Sequence, residues 1–379
     1  MPNSNPTRPE LCLSDFDYPF PPHLVAQEPT RERDEARLLV RMPSGKLRDA
    51  HVAGLMTEMQ PGTELILNAS RVFPSRLLGF LPSGGQVELF LLAPLTQDDA
   101  SITCHWQAMG RPLKKLQVGS RIHLAGDVIA EVLGKSEDGT GNAFVQLRFN
   151  RSSPAFADWL EQHGLIPLPP YIKRDQPQAA PQSSDRERYQ TVYAQDAGSV
   201  AAPTAGLHLT QALLDAGKSR GIHINFVSLH VGAGTFLPVK SEDPSAHVMH
   251  PERYRVGAAT AAALCKARAE DRPVVAVGTT TLRSLEDLYR RSDHDPVAFV
   301  AQADRWHQTQ LYIHPRTAQE IYKPWVIDGL VTNFHQPCST LFMLISALIG
   351  LEQAKLMYQT AITREYRLYS YGDASLLWL

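Results

Sequence analysis

Three histidines stand where an apolar stretch gives way to small or polar residues: His230 in LHVGAGTF, His335 in VTNFHQPCST and His208 at the end of AAPTAGLH. Imidazole titrates near neutral pH, so each is a candidate to move a proton. Gly232 and Gly234 follow His230 closely. Glycines after a strand let backbone N–H groups approach an anion or a ring edge. A tight turn with a hydrogen-bonded histidine gives the same string, so the pattern alone leaves both readings open. It lacks GxGxxG and the P-loop lysine, and so signals neither a dinucleotide fold nor a nucleoside triphosphatase.

The run VVAVGTTTLRSLE has a more consistent context: apolar strand residues, Gly278, three threonines, then a helical pattern. Thr279 or Thr280 is expected to cap that helix, and its first-turn N–H groups suit a carboxylate or phosphate. Arg283 and Glu286, three apart, share a helix face as an ion pair or as readers of carboxylate and amine groups. Asn333, at another strand exit, has an amide able to orient a base edge. Near the end, REYRLYSYGDA offers Arg367, Tyr369, Tyr371 and Asp373. Tyrosines beside arginine can stack a base, and they also fit a half-buried strand.

These residues need strands and helices to hold them. From about Phe80 to Phe149 short strands are expected at 87–92, 102–108, 121–125, 128–133 and 143–149, separated by glycine turns, which favours a small antiparallel β-barrel. Beyond it the rhythm becomes strand then helix: strand 222–229, helix 258–269, strand 274–277, helix 280–290, strand 326–332 and a helix from about Thr340 with Ser339 as its cap. The fold class is therefore α/β, a mixed or largely parallel sheet interrupted by a small antiparallel β-barrel. The expected division is 1–79 with 150–379 for the α/β domain and 80–149 for the insert. A helix-length segment is expected at 155–163, and the Pro-, Gln-, Ala- and Ser-rich run 176–184 reads as a loop.

Composition adds limits. With 43% hydrophobic and 20% charged residues in 379, the chain has an ordinary globular balance. A net charge of -2 shows no overall basic character, so nucleic-acid binding must be argued locally. The local cations are Arg111, Lys114 and Lys115, and Lys173, Arg174, Arg186 and Arg188 around the 176–184 run. Four separated cysteines form no zinc spacing and fit a reducing compartment. The opening MPNSNPTRPE has no signal-peptide pattern and reads as a frayed tail. Leu341 to Ile349 is too short to span a bilayer and reads as a buried helix. No membrane, no metal and a cytoplasmic monomer are the expectations.

Read together and in order, SDFDYPFPPHLVAQEP, LNASRVFPSRL, LPPYI, YQTVYAQDAGSVAAPTAGLH, LHVGAGTFLPV, VGTTTLRSLE with LVTNFHQPCSTL, and SYGDA make the chain resemble the queuosine-pathway S-adenosylmethionine:tRNA ribosyltransferase-isomerase family from Asp15 to Asp373. The resemblance implies a large α/β domain with an inserted barrel. It also implies transfer and isomerisation of the ribosyl group of S-adenosylmethionine onto 7-aminomethyl-7-deazaguanine at the tRNA wobble position. Epoxyqueuosine, adenine and methionine are the products. S-adenosylmethionine is then a consumed co-substrate and no cofactor is needed. The chain departs from the family pattern at Ala69, Leu209, Ala246 and Arg316-Thr317.

Such a reaction needs a base for a proton made acidic by the sulfonium, a donor for departing adenine, and holders for the methionine end. His230, His208 and His335 are the candidates for proton transfer. Arg283 and the N–H groups after Gly278 suit the carboxylate, Glu286 suits an ammonium, Arg71 a phosphate or carboxylate, and Tyr371 with Asp373 the base. Two other classes stay open: a small-molecule nucleoside or sugar transferase, and a non-catalytic RNA-binding scaffold.

Overall fold

The computed structural model describes residues 11–95, 103–137, 143–174, 183–232, 234, 239 and 241–379. The expected tail and residues 176–182 of the expected loop lie outside the described residues. In chain order the strands begin with β1 (Arg37–Arg41), β2 (Leu47–His51), β3 (Glu64–Asn68), β4 (Ser70–Val72), β5 (Arg76–Phe80), β6 (Gln86–Pro94), β7 (Cys104–Arg111), β8 (Arg121–His123), β9 (Ile129–Glu137) and β10 (Ala143–Phe149). Helices α1 (Ser153–His163) and α2 (Ser183–Arg188), β11 (Asp196–Ser199), α3 (Gln211–Ser219), β12 (His223–His230), β13 (Glu252–Val256), α4 (Ala258–Ala269), β14 (Val274–Val277) and α5 (Thr279–Arg291) follow. The chain ends through α6 (Pro296–Ala301), β15 (His307–Thr309), β16 (Gly329–Asn333), α7 (Thr340–Ile349), α8 (Leu351–Thr363) and β17 (Ala374–Trp378).

Two compact units result, one of residues 1–70, 191–196 and 203–379, the other of residues 71–190 and 197–202. The second unit holds the closed antiparallel barrel, in the order β10-β7-β6-β5-β8-β9. Its strands alternate as a barrel requires: in β6, Val87, Leu89 and Leu91 are buried while their neighbours are not. Phe156 and Leu160 of α1 belong to the same apolar cluster, and Phe156 stacks on Phe149 at 4.0 Å between centroids. That packing places α1 with the barrel, so this unit is larger than the expected insert.

The first unit is built on a nine-stranded mixed sheet in the order β15-β13-β12-β3-β14-β16-β17-β1-β2. Its centre, β12, β3, β14 and β16, is parallel, and β13, β15, β17 and β2 supply the antiparallel pairings. All five residues of β3 are buried. That is the mark of a strand covered on both faces, and it explains why ELILN shows no clean alternation. Leu65, Leu67, Val275 and Val277 pack with Leu213 and Leu214 of α3 and with the 3-10 turn Val52–Thr57. α7 is buried from Phe342 to Ile349 and is capped by Ser339, whose Oγ accepts from the Phe342 amide at 3.2 Å. Among the described residues no single helix is long and apolar enough to cross a membrane.

One expected strand does not form as read. Only Ala374–Trp378 is extended, while Arg367 to Asp373 make a tight turn. Asp373 explains it, accepting from the Arg367 amide at 2.8 Å and the Arg37 amide at 3.0 Å.

Candidate active site at the carboxyl ends of the parallel strands

In an open α/β sheet, side chains that leave the carboxyl ends of parallel strands escape the packing that covers the strand centres. In the first unit four adjacent strands end in this way, at His230, Asn68, Val277 with Gly278, and Asn333. Asn68 ties three of these exits together. Its Oδ1 accepts from the Leu229 amide at 3.0 Å and the Ser70 amide at 3.1 Å. Its Nδ2 donates to the Leu229 carbonyl at 3.1 Å and lies 3.3 Å from Thr280 Oγ1. The last residues of β12 are thereby fixed against the start of α5.

The β14 exit depends on Gly278, whose φ of +91° is a conformation that side chains avoid. Its amide donates to the Val331 carbonyl at 2.8 Å, so the turn is pinned to β16. The expected cap is corrected here: Gly278 itself is the N-cap and no side chain caps α5. Thr279 is the first helical residue, Thr280 receives Asn68, and Thr281 Oγ1 donates to the Val277 carbonyl at 2.7 Å. The first-turn amides of α5 thus keep the partial positive charge that favours an anion.

At the β16 exit, Asn333 Nδ2 donates to the Tyr369 carbonyl at 3.2 Å and lies 3.0 Å from His208 Nε2. A carbonyl can only accept, so the amide nitrogen faces both partners and His208 Nε2 is the acceptor. The proton of neutral His208 then sits on Nδ1. Burial, with help from the nearby Arg367 and Arg33 guanidinia, lowers the His208 pKa to about 4. Asn333 Oδ1 is left buried with no hydrogen-bond partner among the described residues. Tyr369 takes φ +70°, a strained conformation for a non-glycine residue, and its amide donates to the Phe334 carbonyl at 3.0 Å. His208 arrives on the 3-10 turn Thr204–His208. Gly206 is required there because a Cβ would stand 2.0 Å from the Tyr193 hydroxyl.

His335 is near in sequence and different in setting. Its Nε2 pairs with Thr332 Oγ1 at 2.8 Å, and its amide donates to the Tyr358 hydroxyl at 3.0 Å. The Tyr18 hydroxyl donates to its carbonyl. Burial alone drives the His335 pKa down to about 3.

His230 contrasts with both. Its Nε2 has no hydrogen-bond partner among the described residues, and its ring lies 4.8 Å from that of Trp306. Burial and then Arg253 lower its pKa, while Asp196 opposes them. Asp196 accepts from Ser228 and pairs with Arg255 at 3.3 Å.

The other expected residues lie apart from one another. Arg283 is buried, bonded through Nη1 to Glu252 and through Nε to the Leu311 carbonyl at 2.9 Å, and its Nη2 has no hydrogen-bond partner among the described residues. Glu252 in turn accepts from the Gly232 amide at 3.1 Å, so Arg283 and Gly232 meet through it. Gly234 lies against His250, where a Cβ would come within 2.4 Å of the ring. Glu286 is fully buried and takes hydrogen bonds from the Trp325 amide at 2.7 Å, the Val326 amide at 3.1 Å and the Tyr322 hydroxyl at 2.5 Å. These bonds make Glu286 an anchor for the 322–326 segment. Tyr371 is buried and Asp373 closes the 367–373 turn. Arg71 belongs to the second unit, where it is exposed and pairs with Glu161 at 3.4 Å. Two of the local cations are likewise engaged: Arg174 forks onto Asp185 at 2.8 and 2.9 Å, and Arg186 donates to the Gly164 carbonyl at 2.8 Å.

The sequence comparison decides the family. A family model described as queuosine biosynthesis protein matches residues 13–377, nearly the whole chain. The chain belongs to that family. A curated relative from Citrifermentans bemidjiense, an S-adenosylmethionine:tRNA ribosyltransferase-isomerase, is 43% identical over 97% of this chain and 100% of its own length. One of the same name from Xanthomonas oryzae pv. oryzae is 44% identical over 96% of both chains. A solved S-adenosylmethionine tRNA ribosyltransferase from Thermotoga maritima is 29% identical, covers 96% of this chain and 99% of its own, and superposes with a TM-score of 0.49.

Within this queuosine biosynthesis family member, sequence reasoning passed over Asn68, Asp196, Arg253 and Trp306. In LNASRVFPSRL charge directed attention to Arg71, whereas the strand end falls at Asn68. Two of the positions expected to depart from the family pattern sit in the core of the first unit. Ala69 and Leu209 are both buried there, and the Ala69 backbone still bonds to Val227 and Gln195 at 2.8 Å.

Proposed function

We propose that this chain transfers and isomerises the ribosyl group of S-adenosylmethionine onto 7-aminomethyl-7-deazaguanine at the tRNA wobble position, releasing adenine and methionine and leaving epoxyqueuosine. The carboxyl-end rim is the place for that chemistry. The observation carrying this assignment is the uncommitted Nε2 of His230, the residue after Leu229, whose amide and carbonyl Asn68 ties beside the start of α5. Of the three histidines, His208 and His335 have Nε2 engaged. His230 is therefore the base for the proton made acidic by the sulfonium.

The remaining roles follow from donor and acceptor type. First-turn amides of α5 receive the methionine carboxylate, and the orphaned Asn333 Oδ1 accepts an N–H of the ligand. Arg283 and Glu286 act as positioning residues, through Glu252 and through the 322–326 segment respectively. S-adenosylmethionine is a co-substrate here and the protein works in the cytoplasm as a monomer. No cofactor or metal is assigned a role. The test is incubation with S-adenosylmethionine and tRNA carrying the deazaguanine precursor, followed by nucleoside mass spectrometry. The account expects the epoxycyclopentanediol with stoichiometric adenine. A methylated nucleoside would overturn it.

A further inference from the structure

Beyond His230 the sheet continues to its edge through β13 and β15, and the pairing register fixes what lies side by side. His230 stands opposite Arg253, Ser228 opposite Arg255, Arg253 opposite Gln308, and Tyr254 opposite His307. Because the side-chain period of a strand is two, Ser228, His230, Arg253, Arg255 and Gln308 project from one face and Glu252 and Tyr254 from the other. The latter face is covered by α5: Glu252 holds Arg283, and the Tyr254 hydroxyl donates to Asp287 at 2.6 Å. Trp306, next to β15, belongs with the first set and is 38% exposed. The Arg253 and Arg255 guanidinia lie 5.1 and 5.2 Å from its ring centroid, and the His230 ring 4.8 Å. Arg255 is partly neutralised by Asp196, whereas Arg253 forms no ion pair among the described residues.

An exposed indole grouped with two guanidinia at the β13–β15 edge of the sheet has the chemistry that binds single-stranded nucleic acid. Every base has a π-face that stacks on an aromatic ring or a guanidinium plane, and arginine also meets the flanking phosphate. A double helix has no base face to offer. We propose that this face of β13 and β15, beside His230, receives an unpaired nucleotide of the tRNA anticodon loop, neighbouring the one that is modified, with Trp306 stacking its base and Arg253 meeting its phosphate. The inference rests on the reading that the chain acts on tRNA, and gives that reading a docking surface. The platform runs into the rim at His230, so a nucleotide stacked on Trp306 delivers its neighbour to the reacting groups. It also accounts for RNA binding by a chain with a net charge of -2, since two cations and one ring are concentrated where the substrate enters.

The test measures binding of a fluorescently labelled anticodon stem-loop by anisotropy at several salt concentrations, alongside tRNA-dependent adenine release. Trp306→Ala is expected to raise the Kd about tenfold or more, and Trp306→Phe to restore it to within about threefold of the parent. Arg253→Gln is expected to reduce the log–log salt slope by about one. Circular dichroism and thermal melting of each variant report on folding. Stem-loop affinity unchanged by Trp306→Ala overturns the platform, as does equal loss in the Ala and Phe variants. If the parent chain binds the stem-loop through Trp306 yet releases no adenine, the platform stands and the proposed reaction falls.

Discussion

The two ends of β3 bury polar side chains almost completely, Glu64 at 1% exposure and Asn68 at 0%, and treat them in opposite ways. At the amino end Glu64 is surrounded by partners: Arg272 Nη1 at 2.7 Å, Asn225 Nδ2 at 2.7 Å and His223 Nδ1 at 2.8 Å. Arg272 is itself shared with Glu270 at 2.8 Å. At the carboxyl end Asn68 is satisfied, but it organises a neighbourhood with an orphaned Asn333 Oδ1, an unbonded His230 Nε2 and an uncapped helix. Buried polar atoms without partners cost about 1–3 kcal/mol each. The amino end is therefore built for stability, and the carboxyl end keeps open valences that a ligand can fill.

The largest effect that would break this contrast is on stability. Glu64→Ala takes the shared acceptor from Asn225 and His223 and leaves Arg272 with Glu270 alone, and chemical denaturation should show a loss on the order of 3 kcal/mol. Turnover per folded molecule should stay at the parent value. A tenfold drop in turnover would mean the amino end is not merely structural. Asn68→Ala should cost about 1–3 kcal/mol by freeing the Leu229 amide, and should also slow adenine release about tenfold through loss of alignment.

A further effect on stability is expected from acid. His208 and His335 are neutral when folded, with pKa values near 4 and 3, and take up protons more readily when unfolded. Where the unfolded chain binds more protons, stability rises with pH. Stability should thus fall as pH drops from about 6.5 toward 4 for His208 and toward 3 for His335, and be independent of these two groups above about 7.5. His335→Gln should flatten the slope of unfolding free energy against pH in that window. An unchanged slope would show that His335 takes up its proton as readily in the fold as in the unfolded chain.

The α/β rhythm, the barrel strands and the buried α7 were legible because each rests on local hydrophobic period and turn residues. Helix 258–269 and strands 274–277 and 143–149 fall where their sequences place them. The extent of the second unit was not legible, because the contact of Phe156 with Phe149 that draws α1 onto the barrel is tertiary. Site residues divide in the same way. Strand exits carrying His230, Gly278 and Asn333 could be read from sequence, since a strand followed by glycine or a polar residue marks its own end. What each residue does there could not. Arg283 and Glu286 read as ligand holders from their spacing, yet their partners come from 311, 252 and 322–326, far along the chain. Trp306 had no signal of its own, because its cationic neighbours are brought to it only by the β12–β13–β15 register.

The central claim, that the carboxyl end is reactive through His230, is tested most directly by single-turnover adenine release from S-adenosylmethionine and precursor tRNA with His230→Gln beside Glu64→Gln. The account predicts that His230→Gln keeps its fold and its affinity for S-adenosylmethionine and loses rate by about a hundredfold or more, while Glu64→Gln keeps its rate. Full-rate release by His230→Gln would contradict it.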